Sequence, residues 1–312
     1  MKRLLAFSLL LLLGACAAHQ AAAEATYPLN VTDDSGAHLT LRAKPVRIIS
    51  LTLPTDEILL SLVDPSRMLA VTPLAADPRI SNVPALAARV ARAMTLTVEP
   101  IVALRPDLVF AASWSDASLV GQLRSAGVPV YLMASATSVA AAEEDVTRCA
   151  LLTGETEKGT EIVARMKSEM AAVESRVNRI PLEKRLRVID DTSFGASMGK
   201  GSSWNDIVRR AGLVNAVEGI APDEWGQVPV STEKLLALNP DIIIVPGWTY
   251  GTPGDSEAFL RRVMNDPALR GLSAVKAGRV YAMPERLRSC TSQYIVDAVV
   301  WLARTAYPAL FE

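Results

Sequence analysis

The sequence has 312 residues, half of them apolar and 21% charged, a globular composition with room for two domains of ordinary size. Lys and Arg number 32 against 33 Asp and Glu, and the resulting net charge of −1 offers no basic footprint for nucleic acid. Two histidines and three cysteines leave little material for histidine acid–base chemistry or for a bare-metal centre, so no catalytic group, metal ligand set or resident cofactor is expected.

Lys2 and Arg3 precede an apolar run over residues 4–13, which reads as the n-region and h-region of a secretory signal and is too short to span a bilayer. The following Leu13-Gly14-Ala15-Cys16 resembles a bacterial lipobox, so residues 1–15 are expected to be removed and Cys16 to carry lipid on a periplasmic, membrane-anchored protein. Cleavage after Ala23 is the alternative and would release a soluble periplasmic chain.

From residue 46 strands alternate with helices. A strand over 46–51 leads to a helix capped by Thr55, with Asp56 and Glu57 in its first turn and Ile58, Leu59 and Leu62 on its apolar face. Strands over 107–112 and 128–133 and helices over 115–126 and 139–152 continue the pattern, which predicts a parallel sheet covered on both faces. Residues 160–178 contain neither Gly nor Pro and repeat Ile162, Val163, Met166, Met170, Val173 and Val177, predicting one long helix. Beyond Pro181 the pattern resumes, with strands over 186–190, 241–245 and 279–283 and helices over 203–211, 233–238, 257–265 and 294–306. The expected fold is α/β: two Rossmann-like lobes with central parallel sheets, 27–153 and 182–312, bridged by one long rigid helix within 154–181. Cys149 and Cys290 fall in different lobes and are expected to be buried free thiols.

The lobes share a gapless repeat in which Glu99, Ala103, Leu104, Pro106, Asp107 and Trp114 recur as Glu233, Ala237, Leu238, Pro240, Asp241 and Trp248. Trp114 and Trp248 each follow a strand end, where open parallel sheets bind ligands, so they are expected to face each other across a cleft. Trp204, Trp225 and Tyr250 are candidates for the same aromatic wall, with Arg286, Arg288 and Tyr294 adding charge and polarity at its mouth. Residues 199–203 offer backbone N–H groups and hydroxyls at a helix start, making Ser202 a candidate ligand contact; the plainer reading is a mobile loop with Ser203 as the helix cap. Gly195-Ala196-Ser197-Met198-Gly199 fits a nucleophile elbow, but no histidine follows Ser197 in the chain, so the hydrolase triad has no base in its usual order.

Residues 47–59, 99–109, 127–131 and 274–281 together resemble the helical-backbone, class III periplasmic binding proteins of ABC importers, which deliver ferric siderophores, haem or cobalamin. The resemblance runs from about residue 45 to the C-terminus. It implies a shallow cleft between two lobes that move little, a monomer, and partnership with a permease and its ATPase. It also implies that Glu99 and Glu233, one per lobe, dock onto permease arginines; helix-end stabilisation is the plainer role. The segment 71–96 lacks Trp and Tyr, unlike cobalamin-binding relatives, and no His is placed for haem, so a ferric siderophore is the expected ligand. A cobamide or haem receptor, or a secreted α/β enzyme built around Ser197, are the alternatives.

Overall fold

A computed structural model describes residues 25–91, 97–191, 195–248, 256–288 and 290–312. The lipobox Cys16, the alternative cleavage site at Ala23 and Tyr250 lie outside them. The described chain opens with an antiparallel hairpin, β1 (Leu29–Thr32) and β2 (His38–Leu41), and then enters the first lobe. There β3 (Ile48–Ser50) leads into α1 (Leu53–Leu62), β4 (Met68–Ala70), α2 (Pro84–Ala87), α3 (Val98–Ala103), β5 (Leu108–Ala112), α4 (Ala117–Ser125) and β6 (Val130–Met133). The four strands β3 to β6 form a parallel sheet in the order β4-β3-β5-β6.

Thr52, not Thr55, caps α1: its hydroxyl accepts the Thr55 N–H, and Pro54 occupies the start of the helix, where a missing N–H costs nothing. Thr55 instead hydrogen-bonds Ser50 and Thr52 at 2.7 Å. Asp56 and Glu57 are buried rather than displayed on the helix end.

Helix α5 (Val139–Thr153) ends at Gly154 in the left-handed conformation and is followed by α6 (Thr156–Val177), 22 residues and about 33 Å long. It begins four residues earlier than the Gly-free window predicts because Gly159 sits against α5, where a Cβ would lie 2.3 Å from that of Ala150. The second lobe holds β7 (Arg187–Asp190), β8 (Ala196–Met198), α7 (Ser203–Arg210), β9 (Val214–Asn215), β10 (Gln227–Pro229), α8 (Thr232–Leu238), β11 (Ile242–Pro246), α9 (Ser256–Asn265), α10 (Ser273–Lys276), β12 (Val280–Met283), α11 (Glu285–Arg288) and α12 (Ile295–Ala306). Its parallel sheet runs β12-β11-β7-β9, and β8 and β10 form a separate antiparallel ribbon.

The central strands β5 and β11 are buried throughout, as continuous apolar runs covered on both faces must be. Alternate residues separate to two sides. Leu108 and Phe110 of β5 join Ile242 and Ile244 of β11 in one core that runs through both lobes, while Val109 with Ala111 and Ile243 with Val245 fill separate outer cores. Met166, Met170, Val173 and Val177 of α6 belong to the shared core. The lobes are therefore welded along one side by apolar packing, which leaves the opposite side, at the carboxyl ends of the strands, for a cleft.

Candidate functional site

At that side lies a cavity of about 280 Å³ lined by Leu53, Pro54, Glu57, Leu74, Ile80, Trp114, Ser135, Arg286 and Thr291. Three strand ends of the first lobe build its near wall: Leu53 and Pro54 follow β3, Trp114 follows β5 and Ser135 follows β6. The Trp114 indole donates to Ser135 Oγ at 3.0 Å, which fixes the ring while 62% of the residue stays exposed. An exposed aromatic held by its polar handle is a contact surface rather than core filling.

The segment that follows β4 crosses toward the second lobe and supplies the rim. Its Leu74 and Ile80 line the cavity. Arg79 is gripped by Asp77 and lies 4.6 Å from the centroid of the Trp248 ring, so this tryptophan meets a cation from the facing lobe rather than Trp114. Asn82 donates to the Arg286 carbonyl at 2.8 Å and receives the Arg286 guanidinium at 3.2 Å. Behind this rim, Glu57 accepts the Asn82 N–H at 2.7 Å, its amide at 2.9 Å and the Ser292 hydroxyl at 2.5 Å, while Gln293 donates to the Glu57 carbonyl. Burial pushes the Glu57 carboxyl above its ordinary range, opposed by these donors. Glu57 is thus a latch between lobes at the floor of the cleft, too well bonded to release for a ligand.

The strand ends of the second lobe carry a different chemistry. Arg288 donates to both carboxylate oxygens of Asp190, at 3.0 and 3.1 Å, and makes a second paired contact with Glu285 at 2.9 and 3.0 Å. Burial works to lower its pKa, but the two carboxylates raise it well above the usual value. With its guanidinium occupied on both edges, Arg288 is not available as a ligand contact, which corrects its assignment to the mouth of the cleft. Arg286, exposed and lining the cavity, keeps that role.

Other candidates are dispersed. Trp204, 2% exposed, belongs to the shared core with Ile207 and Val208, so the apolar face of α7 takes it away from the cleft. Trp225 is 72% exposed in the turn before β10, held through its backbone N–H by Asp223, and is not among the cavity-lining residues. Ser202 caps α7, accepting the Asn205 N–H at 3.2 Å and donating to the Gly199 carbonyl at 2.7 Å, which leaves capping as its role. Tyr294 stands at the start of α12, half-buried against the shared core. Ser197 is buried in β8 with its hydroxyl unbonded, and His38 pairs with Thr32 on the opening hairpin, so the two are not brought together. Glu99 and Glu233 are exposed in the first turns of α3 and α8. Cys149 and Cys290 are free and buried. Among the described residues no group of three or more His, Cys, Asp and Glu is arranged to hold a metal ion.

Leu53, Pro54, Leu74, Ile80, Ser135 and Thr291 were not signalled by aromatic or charged character. For Leu53, Pro54 and Ser135 the signal was available: they follow strand ends just as Trp114 does. Leu74 and Ile80 had none, since an apolar residue in an irregular segment reads the same in core or cleft.

Comparison with known proteins agrees with this geometry. Residues 48–287 match the family described as "Periplasmic binding protein". An uncharacterized ABC transporter substrate-binding lipoprotein, YvrC, of Bacillus subtilis is 25% identical over 293 residues, 92% of this chain and 88% of the relative. The molybdate-bound structure of MolA from Haemophilus influenzae superposes with a TM-score of 0.75 at 20% identity, covering 91% of this chain and 92% of MolA. The Helicobacter pylori CeuE complex with Ni-His gives 0.73 at 19%, covering 91% and 89%. At these identities the two structures establish the shared fold and say nothing of the ligand.

Proposed function

Because the chain belongs to the periplasmic binding protein family, we propose that it is the extracytoplasmic receptor of an ABC importer and that its cleft captures a ferric siderophore. The observation that carries this reading is the cavity at the strand ends: an exposed indole, four aliphatic side chains and one guanidinium. Such a wall recognises a bulky preassembled chelate by apolar contact and a single charge. A small tetrahedral oxyanion such as molybdate needs several convergent N–H or guanidinium donors, and the described lining has Arg286 alone for that task. The family supports a binding protein rather than an enzyme.

Delivery is assigned to Glu99 and Glu233. Each opens a short helix that runs directly into the following strand, β5 or β11, so each first turn lies at the cleft end of its sheet. One exposed carboxylate per lobe, on either side of the ligand, suits a two-point contact with permease arginines. Anchoring through Cys16 completes the proposal; among the described residues no helix is long and apolar enough to cross a membrane.

Titrating intrinsic fluorescence with ferric siderophores, haemin, cobalamin and molybdate tests the ligand. Saturable quenching by a ferric siderophore supports the reading, whereas a response confined to haemin, cobalamin or molybdate replaces it. Charge reversal of Glu99 and Glu233 is expected to abolish uptake with ligand affinity intact; weakened affinity would remove them from the docking role.

A further inference from the structure

Behind Trp114 the cleft continues into a recess of about 20 Å³, room for a single water-sized group. It shares Pro54, Trp114, Ser135 and Thr291 with the main cavity and is lined further by Thr52, Thr55, Ile58, Met133 and Asp145. Asp145, on α5, is only 8% exposed, and its carboxylate accepts no hydrogen bond from any described residue. Buried carboxylates are ordinarily paired or fully hydrogen-bonded, and others in this chain follow the rule: Asp56 takes the Thr72 N–H and hydroxyl, Glu57 its three donors, and Asp190 takes Arg288 Nη1 on both of its oxygens.

The nearest cation does not serve. Arg148, one turn along α5, is bound to Asp34 of the β1–β2 turn at 2.6 Å. Asp34 and Glu144 add negative charge, Tyr131 of β6 faces Arg148, and the walls offered by α1 and the strand ends are hydroxyl or aliphatic. Burial pushes the Asp145 carboxyl up to about 7, against the pull of Arg148. The recess therefore holds a carboxylate to which none of the lining hydroxyls is hydrogen-bonded, directly beside the ligand cavity.

We propose that Asp145 and this recess form a subsite for a protonated amine, so that the captured chelate carries an ammonium arm seated behind Trp114. The inference rests on the siderophore reading and narrows it to amine-bearing chelates. An ammonium is the size of the recess and supplies both the hydrogen bonds and the charge that the buried carboxylate lacks. Binding then ionises Asp145, and its proton passes to the buffer.

Calorimetry on the full mature chain with ferrioxamine B, a ferric tris-hydroxamate with one free ammonium, and with its N-acetylated form tests this. The amine form is expected to bind at least 10-fold more tightly. At pH 6, titrations in buffers of different ionisation enthalpy are expected to show release of nearly one proton per complex. Asp145→Asn is expected to bind both forms alike and release none; its thermal melt reports folding, and the two wild-type comparisons decide the matter should it not fold. Equal affinity of wild type for the two forms, or discrimination that survives in Asp145→Asn, overturns the subsite while leaving the siderophore reading in place. Failure of both forms to bind overturns both.

Discussion

In each lobe a helix with a glutamate in its first turn runs through a left-handed residue and a Pro-Asp pair into a buried central strand. Arg105 and Asn239 take the left-handed position, with φ of 46° and 41°. Asp107 accepts the N–H groups of Val46 and Arg47, and Asp241 accepts that of Arg187. Arg47 and Arg187 in turn donate to carbonyls at the helix ends, those of Leu104, the residue after α3, and Leu238, the last of α8. The same residue types, an Asp and an Arg, close the same corner twice, which is the physical content of the sequence repeat. Beyond the strands the lobes diverge: the first ends in an exposed indole, aliphatic side chains and hydroxyls, the second in a closed network of Asp190, Glu285 and Arg288, with Asp191 paired to Arg262. The repeat preserves scaffolding, and the proposed recognition falls mainly on the wall of the first lobe.

Four substitutions probe that asymmetry. Arg288→Met removes the counter-charge that the buried Asp190 holds and is expected to cost about 3–5 kcal/mol in urea unfolding with ligand affinity changed less than about 2-fold. Lost affinity with unchanged stability would instead return Arg288 to the cleft. Glu57→Ala orphans the Asn82 and Ser292 donors between the lobes, an expected loss of about 2–3 kcal/mol measured the same way.

Asp145 brings a pH dependence of known sign. Its folded pKa is raised, so the folded state binds more protons than the unfolded chain between the ordinary carboxylate range and about pH 7, and stability falls as pH rises through that window. Asp145→Asn is expected to flatten the profile and to be about 2 kcal/mol more stable than wild type at pH 8, with little difference at pH 4. An unchanged profile would mean that the acid is not the buried group described. Smallest is Trp114→Ala: because the ring is exposed, stability is expected to hold within about 0.5 kcal/mol while siderophore affinity falls about 10-fold.

Alternation of apolar strands and helices made three strands of each parallel sheet legible, since parallel strands buried on two faces have little choice of composition, while the short edge strands β4 and β9 went unread. The long helix was legible too, apart from its start, because the tolerance of Gly159 depends on its neighbour Ala150 and not on helix propensity. The site was half-visible. Trp114 followed from strand-end logic, but the repeat wrongly implied that Trp248 would mirror it, when Arg79 from an irregular segment reaches that ring first. Arg288 looked like any other arginine after a strand; only three-dimensional pairing with Asp190, 98 positions away, reveals it as structural. Asp145 is notable for partners it lacks, which a linear sequence does not record.

The central claim is that the first lobe's strand ends recognise the ligand, and Trp114 makes it directly measurable among five tryptophans. Fluorescence titration with ferrioxamine B should be repeated on Trp114→Phe and, separately, on Trp248→Phe. The account predicts that most of the quenching amplitude disappears with Trp114 and that the Trp248 variant retains it. Undiminished quenching in Trp114→Phe would contradict it and move recognition to the second lobe.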